Sequence, residues 1–244
     1  MRSSSHQPRK RFGQHFLHDP RVLERIVDSL DLQPADFVVE IGPGEGALTR
    51  LLSAKTRQLE VIEIDRELAA RLVAEGFKVH EADALEFEYS VFPRDVRVVG
   101  NLPYNISTPL LFHLARYADR VRDMHFMLQL EVVERIVAAP STAAYGRLSV
   151  SLQSRFRMQK LFKVAAGAFR PPPKVESAFV RMVPLDWPLP INEDLLRRAF
   201  SARRKTLRNA LPEIDFDAAG IDSGLRPENL SPEDYARLSM NSIL

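Results

Sequence analysis

Residues 37–46, Phe37-Val-Val-Glu-Ile-Gly-Pro-Gly-Glu-Gly46, decide the fold of this chain. The first five residues form a short apolar run around one carboxylate, and such a run ending at glycines predicts a buried β-strand. Gly42, Gly44 and Gly46 permit a tight turn and let a ligand approach the main chain closely. Residues 48–54, directly after the turn, have the apolar spacing of a helix. A strand, a glycine-rich turn and a helix in this order are typical of α/β folds.

The same alternation continues on both sides of this stretch. Further strands are predicted at residues 59–64, 77–80, 96–99 and 124–130, and further helices at residues 20–30, 66–74 and 109–117 and from residue 131. This order predicts a mostly parallel sheet covered by helices. Two later extended segments, residues 160–165 and 175–183, are expected to form an antiparallel pair at the edge of the sheet.

The character of the chain changes after Pro184. Residues 187–190, Trp-Pro-Leu-Pro, are typical of a linker, and residues 192–211 predict one long helix that shorter helices follow. We therefore expect an α/β domain over residues 1–189 and a small all-helical domain over residues 190–244.

The composition is that of an ordinary globular protein. Of 244 residues, 45% are hydrophobic and 27% are charged, and no apolar run is long enough to predict a membrane span. Cysteine is absent, which excludes disulfides and zinc–cysteine sites, and we expect no metal. The basic N-terminus lacks the apolar segment of a secretory signal. We expect a cytoplasmic monomer without membrane contact.

Basic residues fall in two clusters, although the net charge is only +2. The first cluster, at the N-terminus, consists of Arg2, Arg9, Lys10 and Arg11. The second consists of Arg197, Arg198, Arg203, Arg204, Lys205 and Arg208. Either cluster alone is explained by a solvated surface, and for the N-terminal arm we favour that explanation. Two clusters with few acids among them favour a polyanionic partner.

Acidic residues follow two further predicted strands. The glycine spacing G-x-G-x-G suits a nucleoside better than the G-x-G-x-x-G of dinucleotide sites. Glu63 lies about twenty residues after Gly42, where a carboxylate accepts hydrogen bonds from ribose hydroxyls. Asp83 follows the next strand and suits an adenine amino group. Asp65 and Asp83 are each open to the alternative of a helix cap, but matching positions after three successive strands favour ligand binding.

The motif Asn101-Leu-Pro-Tyr104 follows the fourth predicted strand, at the carboxyl edge of the sheet, where such folds bind ligands. An adenine amine is a poor nucleophile, because its lone pair is delocalised into the ring. The Asn101 oxygen and the Leu102 carbonyl can accept its N–H groups, while Pro103 stiffens the turn and Tyr104 offers a ring for stacking. The alternative is a proline turn with an asparagine cap.

These motifs, taken together, resemble those of the bacterial small-subunit rRNA dimethyladenosine transferases over nearly the whole chain. The matching stretches are Arg11-Phe-Gly-Gln-His-Phe-Leu17, Val39-Glu-Ile-Gly-Pro-Gly44, Val61-Ile-Glu-Ile-Asp65, Asn101-Leu-Pro-Tyr-Asn-Ile-Ser-Thr-Pro109, Tyr145-Gly-Arg-Leu-Ser149, Phe169-Arg-Pro-Pro-Pro-Lys-Val-Glu-Ser177 and Phe200-Ser-Ala-Arg-Arg-Lys-Thr-Leu-Arg208. The chain departs from many relatives at His15, where they carry asparagine.

The resemblance implies a Rossmann-like S-adenosylmethionine-dependent methyltransferase domain with a small all-helical C-terminal domain. It implies that S-adenosyl-L-methionine is bound by Gln14, His15, Leu17, Gly42, Gly44, Glu63, Ile64, Asp83, Ala84 and Asn101. It implies that catalysis involves Asn101, Leu102, Pro103, Tyr104 and Phe169. Among these, Tyr104 and Phe169 are expected to stack on the target adenine.

The resemblance also implies the substrate, which is small-subunit (16S) rRNA within the immature 30S subunit. Two methyl groups would be transferred to each of two adjacent adenosines near its 3′ end. RNA contacts are expected at Arg9, Lys10, Arg11, Arg203, Arg204, Lys205 and Arg208. One alternative is the related family that methylates adenine in large-subunit rRNA, and another is a non-catalytic ribosome assembly factor. A small-molecule methyltransferase fits the two basic clusters less well, and a dehydrogenase fits the glycine spacing least.

Overall fold

The computed structural model describes residues 14–241, which form two compact units. One unit runs to Leu130 and resumes over Lys160–Met182, and the other combines Glu131–Gln159 with the chain from Val183 onward. The expected division at residues 189 and 190 places Glu131–Gln159 in the first domain, so the observed grouping differs there. No helix within residues 14–241 is both long and apolar enough to cross a membrane.

Within residues 14–241, nine strands lie in two sheets. They are β1 (Phe16–Leu17), β2 (Phe37–Ile41), β3 (Gln58–Glu63), β4 (Lys78–Glu81), β5 (Val96–Asn101), β6 (Val121–Gln129), β7 (Phe156–Val164), β8 (Phe169–Arg170) and β9 (Ser177–Pro184). The large sheet has the order β4-β3-β2-β5-β6-β9-β7, and β1 pairs separately with β8. Strands β4, β3, β2, β5 and β6 are parallel, which confirms the predicted sheet. Strand β9 is antiparallel to β6.

Ten α-helices connect or follow these strands in the described residues. They are α1 (Pro20–Leu30), α2 (Ala47–Ser53), α3 (Arg66–Ala74), α4 (Ser107–Leu114), α5 (Leu130–Ile136), α6 (Arg147–Gln153), α7 (Glu193–Ser201), α8 (Leu207–Ala210), α9 (Phe216–Ala219) and α10 (Pro232–Met240). Short 3-10 turns lie at Tyr89–Val91, Ala115–Arg120, Ala166–Ala168 and Pro227–Asn229.

Helix α1 shows how the sequence sets one of these elements. The Asp19 carboxylate accepts hydrogen bonds from the main-chain N–H groups of Arg21 and Val22, so it caps the helix. The apolar residues recur three or four positions apart and are buried; they are Leu23, Ile26, Val27 and Leu30. Each such side chain contributes about 1.5–3 kcal/mol when it leaves water.

The second unit has its own apolar core. It includes Tyr145, Val150, Leu195, Leu196, Ala199, Leu207, Leu230, Tyr235 and Leu238. The hydroxyl of the fully buried Tyr145 donates to the Leu230 oxygen at 2.8 Å. Because Tyr145 and Val150 belong to this core, the segment Glu131–Gln159 groups with the C-terminal helices.

The single long helix expected over residues 192–211 is wrong. Helix α7 ends at Ser201, since the main chain at Ala202 leaves the helical region and Thr206 is extended. The reason is an alternative set of partners for the main chain. The N–H of Leu207 donates to the Leu225 oxygen at 2.8 Å instead of continuing the helix.

Candidate active site

A cavity of about 320 Å³ lies at the carboxyl ends of β2, β3, β4 and β5. The predicted cofactor and catalytic residues that line it are Gln14, His15, Leu17, Gly42, Gly44, Glu63, Ile64, Asp83, Ala84, Asn101, Leu102, Pro103 and Tyr104. The parallel strands bring these residues together, because their carboxyl ends meet at one edge of the sheet.

The glycine-rich turn forms one wall of the cavity. Gly42 and Gly44 have φ angles of 68° and 58°, in the left-handed region of backbone conformation that residues other than glycine rarely adopt. A Cβ atom on Gly44 would lie 2.8 Å from the Phe16 ring. Glycine at this position therefore lets the N-terminal strand β1 close over the turn.

Glu63 ends β3 and is 5% exposed. Its two carboxylate oxygens accept from the N–H of Gly44 at 3.1 Å and from the N–H of Asp65 at 2.9 Å. Burial raises the pKa of Glu63 above its ordinary value, and these main-chain donors oppose that rise without cancelling it. Both oxygens retain capacity to accept from hydroxyl groups. Asp65 instead caps α3 by accepting from the Glu67 N–H, so the cap alternative holds for Asp65.

The next part of the wall combines one carboxylate with one apolar side chain. Asp83 accepts from the Leu85 N–H through one oxygen at 2.9 Å, in the turn after β4, so this contact closes a turn and does not cap a helix. Asp83 also lines the cavity. Ile64 lines it too, and it is 43% exposed, which is unusual for a large hydrophobic residue. An uncovered apolar surface beside an acceptor suits a flat nucleobase that carries an amino group.

Asn101 is the last residue of β5, and its orientation is set by one hydrogen bond. Its side-chain nitrogen donates to the main-chain oxygen of His15 at 2.8 Å. The amide nitrogen is therefore engaged, and the amide oxygen is the group left to accept a hydrogen bond from a ligand. The turn after it is closed by the Ile106 N–H, which donates to the Pro103 oxygen at 3.2 Å.

Tyr104 is half-buried and has contacts at both ends of its side chain. The hydroxyl lies 2.6 Å from the Ser177 hydroxyl, and the ring centroid lies 5.4 Å from that of His15. Burial raises the pKa of Tyr104, so the phenol stays neutral. The His15 ring donates through Nδ1 to the Pro171 oxygen at 2.7 Å, since a carbonyl can only accept.

Phe169 is the one predicted catalytic residue that does not line the cavity. It is 2% exposed and packs in the apolar core with Met127, Phe162 and Phe179. Strand β8 pairs it with Leu17 of β1. Its role in stacking on adenine stays a prediction.

Phe16 and Glu40 are among the cavity residues that were not predicted from the sequence. Phe16 lies between Gln14 and Leu17, which were predicted, so its position in the same stretch could have indicated that it also lines the cavity. Glu40 is a carboxylate inside an otherwise apolar strand, which is itself unusual. Burial raises the pKa of Glu40 to about 8, the charge of Glu63 adds to this, and Thr49 and Arg50 oppose it. Glu40 is consequently mostly protonated at neutral pH.

The residues predicted to contact RNA differ in their surroundings. The Arg203 guanidinium already has partners within the protein: it forms an ion pair with Glu228 at 2.8 Å and donates to the main-chain oxygen of Ala143. Arg204, Lys205 and Arg208 are exposed, and no ion pair with another described residue is found for them. The remaining three, Arg9, Lys10 and Arg11, lie outside the described residues.

The single helix expected over residues 192–211 would have placed Arg204 and Arg208 on one face, and this is not what the structure has. Arg204 lies in the turn between α7 and α8, and only Arg208 is helical. Two other members of the cluster form ion pairs, Arg197 with Asp194 and Arg198 with Glu213.

The family model for ribosomal RNA adenine dimethylase matches residues 5–242. The chain belongs to this family. Similar proteins include the ribosomal RNA small subunit methyltransferases A of Chromobacterium violaceum and Aromatoleum aromaticum. The first is 54% identical, covering 97% of this chain and 96% of the relative. The second is 55% identical, covering 97% and 94%.

Two solved structures resemble this dimethylase over most of its length. A dimethyladenosine transferase from Plasmodium falciparum has a TM-score of 0.81 and 26% identity, covering 92% of this chain and 96% of that one. The 23S rRNA methyltransferase ErmE has a TM-score of 0.71 and 29% identity, covering 93% and 98%. They confirm the Rossmann-like methyltransferase fold with a helical part.

Family membership makes the protein an S-adenosylmethionine-dependent rRNA adenine dimethyltransferase. The cavity fits that cofactor on its own chemistry. Glu63 suits the ribose hydroxyls, Asp83 and Ile64 suit the adenine, and Gly42 lines the cavity without a side chain. No cluster of three or more histidine, aspartate or glutamate side chains that could hold a metal is found in residues 14–241.

Proposed function

We propose that this enzyme dimethylates N6 of two adjacent adenosines near the 3′ end of small-subunit rRNA, within the immature 30S subunit. The observation that carries the proposal is the hydrogen bond from Asn101 Nδ2 to the His15 oxygen, since it leaves the Asn101 oxygen as an acceptor in the cavity. The relatives from Chromobacterium violaceum and Aromatoleum aromaticum are ribosomal RNA small subunit methyltransferases A, which supports the small subunit as the source of the substrate.

The cofactor end of the cavity binds S-adenosylmethionine through polar contacts and one apolar surface. Glu63 accepts from the ribose hydroxyls, Asp83 accepts from the adenine amino group, and Ile64 packs on the adenine ring. The main chain of the turn at Gly42 and Gly44 would contact the methionine part. The remaining predicted cofactor contacts are Gln14, His15, Leu17, Ala84 and Asn101. When bound, the cofactor supplies an electrophilic methyl group.

At the other end, Asn101 and Leu102 orient the adenine amine. Two acceptors, the Asn101 amide oxygen and the Leu102 carbonyl, take its two N–H groups and localise the nitrogen lone pair. Pro103 stiffens the turn, and the Tyr104 ring stacks on the base. Held in this way, the nitrogen lone pair would be directed at the methyl group that the bound cofactor supplies, and the proton that the nitrogen releases after transfer would pass to water. Most of the rate enhancement comes from positioning the reactants in line.

RNA affinity comes from exposed cations that contact phosphates. Arg204, Lys205 and Arg208 are suited to this, because they are exposed and form no ion pair with another described residue. Arg203 shapes the loop through Glu228, and Arg9, Lys10 and Arg11 add to the contact surface. We propose that the enzyme acts as a monomer in the cytoplasm, where its ribosomal substrate lies.

The test is methyl transfer from labelled S-adenosylmethionine to separated ribosomal subunits that lack the modification. We expect label in the small subunit, at N6 of two adjacent adenosines near the 3′ end of its RNA. Label confined to the large subunit would contradict the proposal and favour an activity like that of the 23S rRNA methyltransferase ErmE. Binding to small subunits without any transfer would favour a non-catalytic assembly factor.

A further inference from the structure

Ser177 reaches the active site because β9 runs against the other strands. It is the first residue of β9 and pairs with Gln129, the last residue of β6. An antiparallel strand begins where its parallel neighbours end, so β9 starts at the edge of the sheet that carries the cavity. Ser177 is fully buried there, with 0% of its surface exposed.

The Ser177 hydroxyl holds the far end of the Tyr104 side chain. The two hydroxyl oxygens lie 2.6 Å apart, which is within the range of a good O–H···O bond. The backbone end is fixed by the turn, where the Ser107 hydroxyl donates to the main-chain oxygen of Tyr104 at 3.1 Å. One ring face lies near His15. The Tyr104 ring is therefore held at its backbone, at its hydroxyl and on one side.

We propose that Ser177 is a positioning residue for the target base: its hydroxyl fixes the plane of the Tyr104 ring, and this matters most for the second methyl transfer. The inference rests on the proposed function. It concerns a residue that does not itself touch the substrate, because Ser177 acts through Tyr104.

The number of N–H groups on the amine explains why the second transfer is more sensitive. An unmethylated amine has two N–H groups, which the Asn101 oxygen and the Leu102 carbonyl orient together. After one transfer a single N–H remains, so one of these acceptors loses its partner. The stacking surface of Tyr104 then carries a larger share of the positioning, and any freedom of the ring costs more.

A purely structural role predicts something different for Ser177. If its hydroxyl only satisfies a buried phenol, its loss lowers stability but leaves the proportions of the products unchanged. The ratio of N6-monomethyladenosine to N6,N6-dimethyladenosine therefore separates the two roles, because stability alone does not move it when enzyme concentration is corrected for the folded fraction.

The experiment compares Ser177→Ala, Ser177→Thr, Tyr104→Phe and the double variant Ser177→Ala/Tyr104→Phe. The matched control is Ser154→Ala, which removes another buried hydroxyl whose partner is the main-chain oxygen of Ser151. Each protein is incubated with labelled S-adenosylmethionine and small subunits that lack the modification. Single-turnover rates of both transfers, the product ratio and cofactor affinity by calorimetry are measured.

We expect Ser177→Ala to slow the second transfer by about three- to tenfold, the effect of losing one neutral hydrogen bond. The first transfer falls less, monomethyladenosine accumulates, and cofactor affinity is unchanged. Ser177→Thr restores the wild-type ratio. Tyr104→Phe behaves like Ser177→Ala, and the double variant is no slower than the slower single variant, because both changes remove the same bond.

A wild-type product ratio in folded Ser177→Ala would overturn the inference, as would additive effects in the double variant. If Ser177→Ala does not fold, Tyr104→Phe decides, since it removes the same bond from the half-buried partner. A wild-type ratio in that variant would also refute the proposal. Failure of the wild-type enzyme to methylate small subunits at all would instead refute the proposed function.

Discussion

The side-chain nitrogen of Asn101 lies 2.8 Å from the main-chain oxygen of His15. A residue of the N-terminal segment thereby sets the orientation of the amide at the end of β5. The consequence is directional: the amide nitrogen faces the His15 oxygen, and the amide oxygen is left to accept from a ligand in the cavity that Asn101 lines. This contact is the basis of the first prediction.

Asn101→Ala should lower turnover by about 100-fold or more, because removing one preorganised polar contact to a transition state has effects of that size. Cofactor affinity should stay within about tenfold, since Asn101 acts mainly on the amine. Single-turnover transfer to small subunits and calorimetric titration with S-adenosylmethionine measure the two quantities. Unchanged turnover would remove Asn101 from the mechanism.

Asn101→Asp is the matched comparison, because it keeps an acceptor oxygen and the size of the side chain. The carboxylate cannot donate to the His15 oxygen, so the contact that orients the side chain becomes repulsive. We expect this variant to lose turnover nearly as severely as the alanine variant. Near-wild-type turnover would mean that the acceptor alone suffices and that His15 has no orienting role.

Glu63→Ala should mainly weaken cofactor binding, since its proposed partners are ribose hydroxyls. The loss of a hydrogen bond to a charged group corresponds to about tenfold or more in affinity. Glu60→Ala is the control, because Glu60 is a buried carboxylate on the same strand that bonds Lys78 and His80 instead of lining the cavity. Calorimetry that shows equal affinity for both variants would count against the role of Glu63.

The sequence predicted the site more completely than the C-terminal helices, and the reason is physical. Residues after parallel strands are gathered by the sheet itself, so Glu63, Asp83 and Asn101 could be placed together from their order alone. The break at Ala202 depends on main-chain partners from residues distant in sequence, such as Leu225. Helical periodicity, which is read within a short window of sequence, contains no information about such distant partners.

Ser177 and Phe169 also show what the sequence could not predict, which is the position of individual side chains in the tertiary structure. Both lie in the stretch that resembles the dimethyladenosine transferases, yet only tertiary packing decides which side chain points where. Phe169 packs into the core through β8, whereas Ser177 meets Tyr104 because β9 enters the sheet from its carboxyl edge. Sequence spacing contains neither relationship.

His125 should make stability fall in acid. It is 1% exposed on β6, and burial lowers its pKa to about 4, with Arg97 and Arg181 also lowering it and Asp123 opposing them. The folded pKa lies below the ordinary value of 6.5, so the unfolded chain binds the proton first. The stabilisation is present above pH 6.5 and is lost towards pH 4, by at most about 1.4 kcal/mol per pH unit.

Urea unfolding of wild type and His125→Gln between pH 4 and pH 7.5 measures this contribution. Other groups titrate in the same range, so the informative quantity is the difference in unfolding free energy between the two proteins. We expect the wild type to lose stability relative to the variant as pH falls below 6.5. A constant difference across the range would show that His125 does not titrate differently on folding.

The last prediction concerns Arg204 and Arg208, which are exposed and form no ion pair with another described residue. If they contact RNA phosphates, changing both to glutamate should weaken binding to the ribosomal small subunit and leave S-adenosylmethionine affinity unchanged. It should also flatten the dependence of log affinity on log salt concentration. Each lost contact lowers the magnitude of this slope by about 0.7–0.9, because fewer counterions are released.

The control for this double variant is Arg197→Glu/Arg237→Glu, which alters the net charge equally. Both control residues are exposed, but each already pairs with an aspartate on its own helix, Arg197 with Asp194 and Arg237 with Asp234. A general loss of positive charge would change the slope in both double variants, whereas specific contacts would change it only for Arg204 and Arg208. An unchanged slope in the folded Arg204 and Arg208 variant would refute their contact with phosphate. It would assign that contact to the N-terminal arm around Arg9, Lys10 and Arg11.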